Sequence, residues 1–79
     1  MRIGIVGCGY VADNYLNTLG NYPHLEVIAV TDRNAERSAA FARYWKIPTI
    51  CETLAELLAR DDIQLIVNLT NSFAGHRKL

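Results

Sequence analysis

Gly7-Cys8-Gly9-Tyr10-Val11-Ala12 and one carboxylate, Asp32, are the residues whose types and spacing could do chemistry in this chain. Gly7 can take the backbone angles of a tight turn that a side chain resists. Gly9 has no Cβ, so a pyrophosphate could come close to the main chain. Ala12, small like the third residue of the G-x-G-x-x-G/A pattern, lets a helix lie near the strand before it. The first N–H groups of that helix, at Tyr10 and Val11, would face the phosphates, helped by the positive end of the helix dipole. Asp32 ends the next apolar run, 25 positions after Gly7. A nucleotide fingerprint expects an acid about 20 residues on, accepting hydrogen bonds from a ribose hydroxyl. A plain strand-to-helix turn uses the same small residues. The strand-like run directly before Gly7, together with Asp32, is what points to a dinucleotide.

The elements that must hold these groups follow from periodicity. Ile3 to Val6 is a short apolar run of strand type, and Val11, Ala12, Tyr15, Leu16 and Leu19 then recur at helical spacing. Gly20, Asn21 and Pro23 stop that helix. Leu25 to Thr31 reads as a second strand, apolar enough from Val27 to Val30 to be covered on both faces. Asn34 can cap a helix running to about Tyr44, with Ala35, Ser38, Ala39, Ala42 and Trp45 as a narrow packing stripe and Phe41 beside it. Ile47 to Cys51 is a short third strand, its proline suited to an edge. Thr53 and Glu56 form a capping box for a helix through about Arg60 that buries Leu54, Leu57 and Leu58. Asp61 and Asp62 read as solvated turn residues, and Ile63 to Leu69 as a buried fourth strand.

The fold class is therefore α/β: a Rossmann-like, partial doubly wound parallel sheet, βαβαβαβ, with expected strand order 3-2-1-4. Strands one and four then flank the switch point, where ligands sit at the carboxyl ends of strands. Gly7-Cys8-Gly9 and Thr70-Asn71-Ser72 fall at such ends and should face each other across the crevice.

Bulk properties narrow the function classes. Among 79 residues, 51% are hydrophobic and 20% charged, which suits a folded core and argues against disorder. The formal net charge is +0, so the basic footprint of a nucleic-acid binder or a polybasic membrane patch is missing. No apolar run approaches the roughly 20 residues that span a bilayer, and the apolar start is too short for a signal peptide. Cys8 and Cys51 have no metal-like spacing and read as free thiols of a reducing, cytoplasmic compartment. No metal ligand set and no nucleophile–base pair stands out.

The chain resembles the N-terminal half-domain of the Gfo/Idh/MocA family, the glucose-fructose oxidoreductase and inositol dehydrogenase group of NAD(P)-dependent sugar oxidoreductases. The resemblance rests on Arg2-Ile-Gly-Ile-Val-Gly-Cys-Gly-Tyr-Val-Ala12, Leu25-Glu-Val-Ile-Ala-Val-Thr-Asp32, Ile50-Cys-Glu-Thr-Leu-Ala-Glu-Leu-Leu58 and Ile63-Gln-Leu-Ile-Val-Asn-Leu-Thr-Asn71. It implies pyrophosphate on the Tyr10 and Val11 N–H groups, adenosine ribose on Asp32, Arg33 over the adenine face, and Thr70 and Asn71 along the nicotinamide-ribose side. The competing readings are a strand-capping Asp32, a solvated Arg33 and a Thr70-Asn71 pair that begins a turn. NAD is the cofactor implied, with NADP as the alternative: Asp32 repels a 2′-phosphate, and an adjacent arginine offsets that repulsion.

Departures from the family pattern set the expected limits. Ser72 stands where a proline is usual, and His76 is the candidate for the family histidine, one residue further along than usual, or else an exposed tail residue. Neither a Glu-Lys-Pro motif nor a substrate domain is present in the sequence. Lys78 belongs to no such motif, and His24 lies at the sheet end away from the glycine turn. Residues 1–79 therefore read as one dinucleotide-binding domain ending after strand four, without turnover of its own. A sugar-like small molecule would be the substrate only in a full-length parent. The alternatives are a non-catalytic dinucleotide sensor and a structural remnant that binds nothing. An apolar fourth strand at the sheet edge also predicts self-association through it.

Overall fold

The computed structural model describes residues 1–70. Seven elements alternate along it: β1 (Arg2–Val6), α1 (Tyr10–Leu19), β2 (Glu26–Thr31), α2 (Ala35–Trp45), β3 (Thr49–Ile50), α3 (Leu54–Leu58) and β4 (Leu65–Asn68). The four strands form one sheet in the order β3-β2-β1-β4, with every pairing parallel. The doubly wound α/β arrangement read from the sequence is the one that forms.

Apolar side chains cover both faces of the sheet. On one face Ile3, Ile5 and Val30 pack with Ala12 and Leu19 of α1 and Phe41 and Ala42 of α2. On the other, Ile28 and Ala29 pack with Cys51 and with Leu57 of α3. Strand alternation alone would set Ile28 and Val30 on the same side. The β1–β2 register slips by one residue there: Ile3 pairs with Val27, and Gly4 with Ala29. Ile28 is the extra residue, and the slip returns Val30 to the face of Ile5. Asp32, two residues on, follows Val30 to that face.

Local chemistry explains the helix starts. Asn34 caps α2, its side chain accepting from the Arg37 N–H at 3.1 Å. Lys46 ends α2 in the left-handed conformation, φ 58°. Thr53 caps α3 by accepting from the Glu56 N–H at 3.1 Å. The reciprocal arm of the expected capping box lands elsewhere: Glu56 Oε1 accepts from Glu52 N–H at 2.9 Å, one residue before the cap.

Three packing expectations need correction. The third strand is only Thr49–Ile50, because Pro48 has no N–H to extend the ladder. Helix α3 stops at Leu58, not Arg60. It buries Leu57 but leaves Leu54 and Leu58 exposed, since a helix of little more than one turn presents a single residue to the sheet. The fourth strand is shorter than Ile63–Leu69 and only partly covered, with Leu65 42% exposed. Among the described residues β4 pairs with β1 alone, so its outer side lacks a neighbour. Asp62 is not merely solvated either. It holds Arg60 through two hydrogen bonds, at 3.0 and 2.7 Å, and that pairing lowers the Asp62 pKa.

Candidate dinucleotide site

The exit of β1 is shaped by Gly7. Its φ is +98°, and a Cβ there would lie 2.8 Å from Thr70 N and 2.9 Å from Thr70 Cα. Both the backbone angle and the close approach of the β4 exit therefore require glycine. The Gly7 N–H donates to Thr31 O at 2.8 Å, and Leu69 N–H donates to Val6 O at 2.7 Å. These bonds bring the ends of β1, β2 and β4 together.

Gly9 is a different case. A Cβ on it would meet only the Arg37 Nη1, at 3.9 Å, and its extended backbone angles suit any residue. The fold does not need a glycine here. Open space on this side is what a group approaching the main chain would use. Gly9 is also the N-cap of α1, with no side chain to cap it. Its carbonyl accepts from Ala12 N–H at 3.0 Å and Asp13 N–H at 3.2 Å. Neither Tyr10 N–H nor Val11 N–H meets a protein acceptor among the described residues, and both residues are exposed.

Asp32 joins the glycine turn to the start of α2. Its Oδ2 accepts from Cys8 N–H at 2.7 Å, and its Oδ1 accepts from Asn34 N–H at 2.8 Å. Each oxygen keeps acceptor capacity for a further donor. The carboxylate side chain is 9% exposed and, among the described residues, has one cation near it, Arg37 Nη1 at 3.9 Å from Oδ2. Cys8 itself turns inward, its Sγ 3.8 Å from Thr31 O. Burial first, and the Asp32 charge second, push its thiol up to about 12. It is inert beside the site, not part of it. Cys8 and Cys51 are both free and buried.

An open cleft of about 1180 Å³ is lined by Gly7, Cys8 and Gly9, by Asp32, Arg33, Asn34 and Arg37, by Glu52, Thr53 and Leu54, and by Asn68, Leu69 and Thr70, with Val6 and Thr31 at its floor. That exceeds the roughly 300–1,000 Å³ that holds a drug-sized molecule. Five candidates from the sequence, Gly7, Gly9, Asp32, Arg33 and Thr70, share it. Tyr10 and Val11 begin α1 outside its lining, and Asn71 and His76 lie outside the described residues. Asn68 Oδ1 accepts from Thr70 N–H at 3.0 Å, which fixes the turn at the β4 exit. His24 is at the other end of the sheet, its carbonyl accepting from the Met1 ammonium at 2.6 Å. Sequence reasoning did not single out Arg37, Leu54 or Asn68. For Arg37 a signal existed: side chains of a first helical turn lean back toward the helix start, here toward Asp32.

The family described as an oxidoreductase family with an NAD-binding Rossmann fold, Gfo/Idh/MocA, matches residues 1–78. The chain belongs to that family. Among its relatives, the 4-carboxy-2-hydroxymuconate-6-semialdehyde dehydrogenase of Sphingobium sp. is 31% identical over 70 residues, covering 89% of this chain and 22% of that protein. The WlbA dehydrogenase of Chromobacterium violaceum, solved with NADH and UDP-GlcNAcA, superposes with TM-score 0.80 at 25% identity, over 89% of this chain and 20% of that one. KijD10, a 3-ketoreductase of Actinomadura kijaniata solved with NADP and TDP-benzene, superposes with TM-score 0.75 at 30% identity, over 84% and 20%. The chain spans about a fifth of the length of these relatives.

Proposed function

We propose that this chain is the dinucleotide-binding part of an oxidoreductase that moves a hydride between a nicotinamide and a sugar, polyol or related carbonyl compound. The observation that carries this is the convergence on one cleft of a Cβ-free amide turn at Gly9 and a carboxylate, Asp32, whose oxygens each retain acceptor capacity. The sugar class is supported by the sugar nucleotide in the WlbA structure. The bound cofactor would supply the hydride chemistry.

The chain's own residues bind and orient it. Tyr10 and Val11 N–H groups receive the diphosphate at the start of α1. Asp32 takes the adenosine ribose, Arg33 covers the adenine, and Thr70 with Asn71 lines the nicotinamide-ribose side. The Asp32 carboxylate favours NAD over NADP. The side of β4 that meets no strand among the described residues pairs with a second copy of the chain, and the working compartment is the cytoplasm.

Calorimetric titration with NAD and NADH tests the reading. Saturable binding that Asp32→Ala weakens at least about tenfold, the loss of a hydrogen bond to a charged group, is the expected result. Absence of binding at millimolar concentration overturns it.

A further inference from the structure

We infer that Asp13 is a positioning residue for the dinucleotide: bonded to Trp45, it fastens the start of α1, whose Tyr10 and Val11 N–H groups would receive the diphosphate. This rests on the dinucleotide reading above and deepens it. The Trp45 indole Nε1–H donates to Asp13 Oδ1 at 2.9 Å, across 32 residues of sequence. Among the described residues it is the one side-chain hydrogen bond between α1 and another element. The other bond made by an α1 side chain, from Thr18 to Asn14 O, stays within the helix. Asp13 and Trp45 are both half-buried.

The start of α1 has little else to hold it. Gly9 supplies no side-chain cap. The buried residues of the helix are Ala12 and Leu19, which share one stripe, with Tyr15 and Leu16 partly packed beside them. Leu19 anchors the far end, whereas near the glycine turn the buried group is a single methyl. Contact along one stripe leaves a helix free to roll about its own axis. Asp13 stands about 100° round the axis from Ala12, so a bond there resists the roll. The other partner is firmly placed. Phe41 is buried, and its ring centre lies 6.4 Å from that of Trp45. Directly after Trp45, Lys46 closes α2 in the left-handed conformation, and the Ile47 N–H donates to Ala42 O at 2.8 Å. A carboxylate offers a diphosphate no donor, so Asp13 acts through the backbone it fixes and not by touching the ligand.

The test is NAD titration of the chain and of its Asp13→Ala, Asp13→Asn and Trp45→Phe variants. Calorimetry gives affinity, NMR gives the amide shifts, and thermal melting is the folding check. Trp45→Phe keeps a ring against Phe41 and Tyr44 and removes the donor, so it carries the comparison if Asp13→Ala melts below the titration temperature. Asp13→Ala and Trp45→Phe should each weaken NAD at least about fivefold, the size of one lost hydrogen bond. The double variant should lose no more than either single one. Asp13→Asn keeps an acceptor and should stay within about threefold of the unaltered chain. At saturation, the NAD-induced shifts of the Tyr10 and Val11 amides should shrink in Asp13→Ala and in Trp45→Phe, while that of the Asn34 amide, held by Asp32, persists. A general loss of stability would not produce that contrast. Unchanged or tighter binding by Asp13→Ala, additive losses, or amide shifts that all change together overturn this inference alone. If the unaltered chain does not bind NAD, the dinucleotide reading fails and takes this inference with it.

Discussion

Asp32 Oδ2 and the Cys8 N–H, 24 residues apart in sequence, meet at 2.7 Å. That single bond ties the exit of β2 to the turn after β1, and the second oxygen ties both to Asn34 at the start of α2. One carboxylate therefore organises the backbone of the site and faces its cleft. Asp32→Ala should cost about 2–3 kcal/mol of stability, since two N–H groups lose a charged acceptor. Asp32→Asn keeps one oxygen and should cost less. Urea denaturation of both variants measures this.

Gly7 and Gly9 separate folding from binding. Gly7→Ala forces a methyl against the Thr70 backbone at a φ of +98°, which should destabilise by about 3 kcal/mol through strain and overpacking. Gly9→Ala meets only Arg37 Nη1 at 3.9 Å. Its stability should stay within about 1 kcal/mol, while dinucleotide affinity falls more than about tenfold as the methyl takes the space a diphosphate needs. Chemical denaturation and calorimetry on the same two proteins compare them directly. Equal losses of stability would refute the distinction.

Cys8 makes alkaline stability informative. Its thiol is pushed up to about 12 in the fold, by burial first and the Asp32 charge second. The folded chain then holds a proton that the unfolded chain releases. Stability from this group is complete below pH 9 and is lost as pH rises from there toward 12. Cys51, also raised by burial, acts in the same direction. The melting temperature of the wild type should fall across that window, and Cys8→Ala should flatten the fall. By the same burial, Cys8 should resist alkylation at pH 8 until the chain is unfolded.

Much of this architecture was legible in the sequence because its signals are local. Apolar runs bounded by glycine, asparagine and proline marked the strands, and three-to-four spacing marked α1 and α2. Parallel order followed from alternation of strand and helix. The parts that could not be read depend on partners distant in the chain. Nothing local says that β2 slips at Ile28, although the slip carries Asp32 to the face where Cys8 waits. Leu54 and Leu58 look like core by composition, yet a five-residue helix turns only Leu57 to the sheet. In the site, the glycine turn and Asp32 were visible as a motif. Arg37 was not singled out, because its place in the cleft follows from the docking of α2, and its position in the first turn of that helix was the one local hint.

The edge of β4 supplies the last prediction. Leu65 to Asn68 pairs with β1 on one side, and no other strand meets it among the described residues. Leu65 is 42% exposed, and an apolar strand with unpaired N–H and C=O groups is a template for a second chain. Light scattering should therefore show concentration-dependent association. Leu65→Lys should suppress it, because a charge on an edge strand opposes the pairing of two copies. The substituted side chain is already half in solvent, so melting of the monomer should move little. A wild-type chain that stays monomeric at high micromolar concentration, or a lysine variant that associates as before, removes β4 as the contact.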